Sequence, residues 1–157
     1  MELSQKLERR KFRPLYKDIM HARTVIIDPN MIGVGVLRSE LEYSKIPLGL
    51  FFTWESALRS FEQNGEVDLL FINADYLLTL PFDEVDAAIR RYCCKVILVC
   101  YKQPNLPSEL QIWVHQIGAY VLEHPYTHEQ LIVLLDRIYS ENTDFQANVG
   151  SVSLKQD

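Results

Sequence analysis

Four side chains with polar or reactive atoms stand at the ends of short apolar runs in the sequence. They are Asp28, Asn73, Cys100 and His124. A carboxylate such as that of Asp28 can bind Mg²⁺ or accept hydrogen bonds, whereas the amide of Asn73 is uncharged and is no nucleophile. A thiol is a weak hydrogen-bond donor, and an imidazole is not permanently charged at pH 7. The four residues therefore predict a site with a single acid and little capacity for group transfer.

The apolar runs before these residues alternate with longer amphipathic segments. Apolar and β-branched residues predict five strands, over residues 24–27, 47–52, 67–72, 95–100 and 118–122. Helical spacing predicts helices over residues 30–45, 54–64 and 83–92, and capping-box patterns start two more at Ser108 and Thr127. This alternation indicates an α/β domain with a parallel sheet. Ligands of such a sheet lie outside the carboxyl ends of the strands, where the four residues stand.

The composition is that of a globular chain of one-domain size. The 157 residues are 48% hydrophobic and 24% charged, which excludes a wholly disordered chain. The charged N-terminus lacks the apolar core of a signal peptide, and no apolar run reaches the length of a membrane span. Cys93, Cys94 and Cys100 are odd in number and lack metal-ligand spacing. We therefore expect reduced thiols in a cytoplasmic protein, with Cys93 and Cys94 near the end of the third helix.

The charge distribution divides the chain into three parts. Residues 1–23 carry seven Lys or Arg and three acidic residues, and we expect them to form a basic helical extension. Residues 24–140 form the predicted domain, and residues 141–157 are expected to be a polar, flexible tail. Since the whole chain has a net charge of −5, the domain is acidic. An acidic domain argues against nucleic-acid binding.

The order of five segments resembles the receiver domain of two-component response regulators, over about residues 23–140. The segments are Val25–Asn30, Val67–Asn73, Lys95–Cys100, Gly118–Leu122 and His124–Tyr126, the last followed by the final helix. The resemblance implies a flavodoxin-like, doubly wound sheet with strand order 2-1-3-4-5. It also implies a magnesium site at the end of the first strand and a phosphate-accepting aspartate at the end of the third.

Carried over by position, the resemblance implies a degenerate phosphorylation pocket. The acidic pair of the family falls on Asp28 and Pro29, the phosphate acceptor on Asn73 and the hydroxyl on Cys100. One carboxylate beside a proline and an amide is a poor magnesium site, and an amide cannot form an acyl phosphate. We therefore expect a pseudo-receiver that is not an enzyme, binds no metal ion or cofactor, and acts through protein–protein contact.

The segment that follows the fifth strand carries the last element of the resemblance. The family's lysine falls on His124 when counted from Pro125, or on Glu123 when counted from Gly118. The peptide bond before this proline is usually cis in receivers. We therefore predict a cis peptide bond between His124 and Pro125.

The same residues also have purely structural interpretations. Asn73 can hydrogen-bond neighbouring loops, Asp28 can cap the first helix, and His124 can be an ordinary loop histidine. The alternative function is an atypical receiver that accepts phosphate on Asp75 or binds a small ligand in the altered pocket. The use of Asp75 requires the third strand to run two residues further than predicted.

The helix after the fourth strand, the fifth strand and the last helix carry more apolar residues than a core stripe needs. The surplus residues are Ile112, Trp113, Tyr120, Ile132, Val133 and Tyr139. Receivers commonly pair through this face, so we expect it to bind a signalling protein or a second copy of the chain. Three alternatives stay open: Trp113 and Ile132 complete the core, the N-terminal extension covers this face, or the N-terminal extension forms the dimer contact.

Overall fold

Five parallel strands form the centre of this protein, which a computed structural model describes for residues 23–43, 45–46, 48–101 and 106–140. The strands are β1 (Thr24–Ile27), β2 (Leu48–Phe51), β3 (Val67–Asn73), β4 (Cys93–Cys100) and β5 (Tyr120–Glu123). They lie in the order β2-β1-β3-β4-β5, and every neighbouring pair is parallel. The predicted doubly wound, flavodoxin-like sheet is confirmed, and its switch point lies between β1 and β3.

Helices cover both faces of the sheet. They are α1 (Met31–Tyr43), α2 (Trp54–Asn64), α3 (Ala74–Leu77), α4 (Phe82–Tyr92), α5 (Ser108–Ile117) and α6 (residues 128–140). Helices α1 and α6 pack on one face, and α2 to α5 pack on the other. Because successive strand residues point to opposite faces, Ile26 joins the α1 and α6 layer, whereas Val25 and Ile27 join the other layer.

Local hydrogen bonds fix both ends of α2. Oγ1 of Thr53 accepts a hydrogen bond from the N–H of Ser56 at 3.3 Å. At the other end Gly65, with a φ of 87°, donates its N–H to the carbonyl of Phe61 at 2.8 Å. Glycine adopts this backbone angle without steric cost. The helix predicted over residues 54–64 is confirmed.

The two predicted capping boxes have different outcomes. At the start of α6, Oγ1 of Thr127 accepts from the N–H of Gln130 at 3.0 Å, and Oε1 of Gln130 accepts from the N–H of Thr127 at 2.8 Å. This reciprocal pair is a complete capping box. The box predicted at Ser108 is wrong, because Pro107 occupies the cap position and Ser108 is already helical.

Strand β4 begins two residues earlier than the sequence predicted. Cys93 and Cys94, which were expected near the end of the third helix, are its first residues. Cys93 pairs with Val67 at the start of β3, so a strand partner is available for this segment. Pairing with β3 therefore stabilises this segment more than continuing the preceding helix would. The short helix α3 was not predicted.

Two predicted segments lie outside the described residues. They are the basic extension, apart from Arg23, and the polar tail over residues 141–157. Within the part of the chain that the structure describes, no helix has both the length and the apolar character needed to cross a membrane.

Candidate functional site

The carboxylate of Asp28 lies at the carboxyl end of β1, buried at the switch point of the sheet. Its Oδ1 accepts hydrogen bonds from the N–H of Asn30 at 2.8 Å and from Nδ2 of Asn73 at 2.9 Å. Its Oδ2 accepts from the hydroxyl of Tyr101 at 2.9 Å. Three donors therefore stabilise this buried charge where the resemblance implies a magnesium ligand.

The local sequence explains the position of the carboxylate. Pro29 has no N–H to extend the ladder, and the contact from Asp28 to the N–H of Asn30 forms a tight turn. Asn30 then caps α1, because its Oδ1 accepts from the N–H groups of Ile32 and Gly33, each at 3.1 Å. The interpretation of Asp28 as the cap of the first helix is therefore wrong. The asparagine caps the helix and leaves the carboxylate free to face β3.

Asn73 is the last residue of β3 and connects two elements. Its Nδ2 donates to Asp28, and its Oδ1 accepts from the N–H of Tyr76 at 3.0 Å, which caps α3. The amide nitrogen of Asn73 therefore binds the end of β1, and its amide oxygen binds the start of α3. A carboxylate at this position could cap α3 but could not donate to Asp28. The structural interpretation of Asn73, as a residue that hydrogen-bonds its neighbours, is confirmed.

Tyr101 completes the site and was not predicted from the sequence. It follows Cys100 at the end of β4, and its ring lies against α1 at Gly33. A Cβ atom on Gly33 would lie 2.4 Å from the hydroxyl oxygen of Tyr101, so only glycine leaves room for the ring. Burial, the negative charge of Asp28 and the hydrogen bond to it all raise the pKa of the Tyr101 hydroxyl. The hydroxyl is therefore a neutral donor at physiological pH.

A row of aromatic rings extends from Tyr101 across the end of β5. The ring of His124 lies 5.0 Å from that of Tyr101 and 5.7 Å from that of Tyr126, between ring centroids. The backbone N–H of His124 donates to the carbonyl of Cys100 at 2.8 Å, which ties this loop to β4. The peptide bond before Pro125 is cis, as predicted. His124 thus packs between two tyrosines.

The remaining predicted pocket residues do not reach the carboxylate of Asp28. Cys100 packs in the apolar layer of α2 to α5, and Pro29 is exposed. Burial, followed by the charges of Asp75 and Glu123, raises the pKa of the Cys100 thiol to about 11. Asp75 lies in the first turn of α3, beyond the end of β3, which stops at Asn73. The third strand therefore does not run far enough to bring Asp75 to its end.

The predicted interface includes two residues that belong to the core. Trp113 is 3% exposed and Ile132 is 1% exposed, so the prediction that they form a contact surface is wrong. Nε1 of Trp113 donates to Oδ1 of Asp86 at 2.7 Å, and its ring packs edge-on against Phe82 at 5.3 Å. These contacts with α4 therefore hold the side chain of Trp113 in the core. The alternative that both residues complete the core is confirmed.

The other four predicted interface residues retain exposed or half-buried surface. Ile112 on α5 and Val133 on α6 are exposed. Tyr120 and Tyr139 are half-buried, and the guanidinium of Arg137 lies over the ring of Tyr120, 5.2 Å from its centroid. Surface for a contact on this face therefore remains on α5, α6 and β5.

The donor set around Asp28 does not fit a magnesium ion. Mg²⁺ binds oxygen lone pairs and usually relies on one or two carboxylates. Here N–H and O–H groups from Asn30, Asn73 and Tyr101 point at the oxygen atoms that a cation would need. Within the described ranges, His, Cys, Asp and Glu side chains nowhere form a group of three that could hold a metal ion.

No family model matches the chain, and no curated protein matches it. The likeness to receiver domains therefore rests on the order of the sequence segments and on the strand order of the sheet.

Proposed function

We propose that this protein is a receiver-like signalling module that acts by binding a protein partner and does not accept a phosphoryl group. Two features support the proposal together. The sheet has the strand order that the resemblance implies, with an acid at the end of β1, and both oxygens of this acid already accept hydrogen bonds within the chain. The partner is a cytoplasmic signalling protein or a second copy of the chain.

The observation that carries the proposal is that both carboxylate oxygens of Asp28 already accept hydrogen bonds from this chain. Phosphoryl transfer to a receiver needs a carboxylate nucleophile at the end of the third strand, where this chain has the amide of Asn73. It also needs a cation, and a cation at Asp28 would displace donors from a buried carboxylate. A hydrogen bond to a charged group contributes about 1.5–3 kcal/mol, so displacing even two of the three is costly. We therefore expect the site around Asp28 to keep a single conformation.

Phosphodonor treatment tests the absence of phosphorylation. The full chain is incubated with Mg²⁺ and acetyl phosphate and its intact mass is measured, and beryllofluoride binding is followed by the amide resonances of Asn73 and its neighbours. We expect no phosphoryl adduct and no fluoride-dependent shift. An adduct would overturn the proposal, and its loss in Asp75→Asn would favour the atypical receiver instead. A receiver domain with an intact pocket serves as the positive control for both reagents.

Sedimentation velocity tests whether the partner is a second copy. The exposed side chains of Ile112 and Val133 offer apolar surface on α5 and α6. We expect a dimer formed through this face to dissociate at higher concentration in Ile112→Glu and Val133→Glu than in the wild type. The matched control is Leu78→Glu, an exposed apolar position directly after α3 and on none of the three elements of this face. An effect of Leu78→Glu alone would contradict this location.

A further inference from the structure

Asn64 and Gly65 form the one Asn-Gly pair of the sequence, and they lie where α2 ends. The side-chain amide of an asparagine can be attacked at Cγ by the backbone nitrogen of the next residue. A glycine in that next position has no Cβ atom to obstruct the approach. Asn64 is exposed, so its amide is in contact with water. The pair therefore has the chemistry for spontaneous deamidation.

Deamidation converts the side-chain amide into a carboxylate in two steps. The nitrogen of Gly65 loses its proton to hydroxide and forms a bond to Cγ of Asn64. The bond from Cγ to Nδ2 then breaks, and Nδ2 leaves as ammonia after taking a proton from water. Water opens the resulting imide ring. If the bond from the ring nitrogen to Cγ breaks, the product at position 64 is an aspartate. If the bond from this nitrogen to the main-chain carbonyl carbon breaks, the product is an isoaspartate, whose backbone is one methylene longer.

Hydrogen bonds at the end of α2 hold both reacting groups in the folded protein. The N–H of Gly65 donates to the carbonyl of Phe61 at 2.8 Å. Nδ2 of Asn64 donates to Oγ of Ser60 at 3.3 Å. Ring closure requires the nitrogen of Gly65 to leave the carbonyl of Phe61 and to turn toward Cγ of Asn64. The last turn of α2 must therefore open before the reaction can occur.

Arg23, directly before β1, binds the chain on both sides of Asn64. Its Nη1 donates to the carbonyl of Gly65 at 2.7 Å, and its Nη2 donates to Oγ of Ser60 at 2.7 Å. Because a guanidinium group is planar and rigid, the two bonds fix the separation of their acceptors. Opening of the last turn of α2 therefore also has to break contacts with Arg23.

We propose that Asn64 is a site of spontaneous deamidation, and that Arg23 slows the reaction by holding the turn between α2 and β3 closed. This site lies at the amino end of β3, whereas Asp28 lies at the carboxyl end of β1, so the modification is separate from the candidate site. The aspartate product places a carboxylate beside the hydroxyl that the guanidinium of Arg23 already binds. The isoaspartate product lengthens the chain before Gly65 and displaces the carbonyl that Arg23 binds. Isoaspartate formation therefore weakens the attachment of Arg23 to the turn.

Ageing of the full chain at pH 8 tests the proposal. Peptide mapping by mass spectrometry measures the conversion of amide to acid at position 64, and an isoaspartate methyltransferase labels the isoaspartate product. We expect conversion to be about tenfold faster in folded Arg23→Ala than in the folded wild type, because the turn opens more often. The matched control is Arg59→Ala, an exposed arginine on α2, which should leave the rate unchanged. In urea, wild type and Arg23→Ala should convert at the same, higher rate, because Arg23 acts only in the folded state.

A second variant tests the same contact with a smaller change. Ser60→Ala removes one of the two acceptors of Arg23, so we expect a smaller acceleration than in Arg23→Ala. This variant decides the question if Arg23→Ala does not fold. Circular dichroism and urea unfolding of each variant distinguish opening of the turn from unfolding of the domain.

Three results would overturn the proposal. Absence of product at position 64 in the unfolded wild type would remove the site. Equal rates in the folded and the unfolded wild type would show that the folded turn does not restrain the reaction. Equal rates in the folded wild type, Arg23→Ala and Ser60→Ala would show that Arg23 has no part in the restraint.

Discussion

Nδ2 of Asn73 donates to Oδ1 of Asp28 at 2.9 Å, across the gap between β3 and β1. The contact joins residues 45 positions apart at the switch point of the sheet. The resemblance to receiver domains implies acids at both of these strand ends, with a cation bound between them. In this protein the amide of Asn73 faces the acid at the end of β1, so the two strand ends attract each other through a direct hydrogen bond.

Asn73→Asp should reverse this attraction. The variant loses the donor to Asp28 and puts a second carboxylate within hydrogen-bond distance of the first, so we expect the free energy of unfolding at pH 8 to fall by about 2–4 kcal/mol. Two carboxyl groups this close share a proton, so the loss should be smaller at pH 5. Urea unfolding of the variant and the wild type at both pH values measures this loss in the free energy of unfolding. Asn64→Asp, at the exposed end of α2, is the control and should cost little at either pH.

Tyr101→Phe removes one donor from the same carboxylate while keeping the ring. We expect a loss of about 1–3 kcal/mol in the free energy of unfolding, because Oδ2 of Asp28 is left buried without its hydrogen bond. Tyr126→Phe is the matched control, since the hydroxyl of Tyr126 is buried without a hydrogen-bond partner in the structure. Removal of the Tyr126 hydroxyl should therefore leave the free energy of unfolding unchanged. Equal losses in the two variants, measured by urea unfolding, would contradict the role of the Tyr101 hydroxyl.

Gly33→Ala tests the fit between α1 and the ring of Tyr101. The new methyl group would lie 2.4 Å from the hydroxyl oxygen, so the ring must move away from Asp28, at a cost of about 1–3 kcal/mol. Gly35→Ala, two residues along the same helix, meets open space and should gain about 0.5–1 kcal/mol from helix propensity. Thermal unfolding compares the two variants. In a Tyr101→Ala background the cost of Gly33→Ala should shrink, because the clash is gone.

The three thiols should differ in reactivity in the folded protein. Burial raises the pKa of Cys93 to about 12 and that of Cys100 to about 11, whereas Cys94 is exposed. At pH 8 we expect a disulfide reagent to label Cys94 first and to reach the other two only on unfolding, as mass spectrometry of the labelled chain would show. Rapid labelling of Cys100 in the native state would contradict its burial.

The raised pKa values of Cys93 and Cys100 also predict how the free energy of unfolding changes at alkaline pH. In the unfolded chain the thiols ionise near pH 8.5, whereas folding keeps Cys93 and Cys100 protonated to higher pH. Their contribution to stability is therefore complete below about pH 8.5 and is lost as the pH rises toward 11. Cys100→Ala and Cys93→Ala should each flatten the decline in the free energy of unfolding between pH 8.5 and 10.5.

The sequence was sufficient to predict the sheet and the presence of Asp28 and Asn73 together at its edge. Strand residues such as those of β3 form continuous apolar runs because both faces are covered, and the carboxyl ends of parallel strands share one edge. Asp28 and Asn73 therefore had to lie close together. Their hydrogen bond follows from the donor of one and the acceptor of the other.

The rest depended on contacts that periodicity does not encode. Tyr101 meets Asp28 across 73 positions, and it can do so only because Gly33 lacks a side chain at one point of α1. Helical spacing likewise placed Trp113 beside the core stripe of α5 but could not show that Asp86 on α4 would accept its N–H. Such pairings are set by how helices pack against one another, which the pattern of a single helix leaves open.

Arg23 anchors the chain at the point where it enters β1. Its backbone N–H donates to Oδ2 of Asp68 at 2.8 Å, and its guanidinium bonds the carbonyl of Gly65 and the hydroxyl of Ser60, each at 2.7 Å. A mechanical load on the residues before Arg23 is therefore shared between β1 and the turn that joins α2 to β3. Tethering this protein by its N-terminus to a surface or to another protein would therefore place part of the tension on that turn and not all of it on β1.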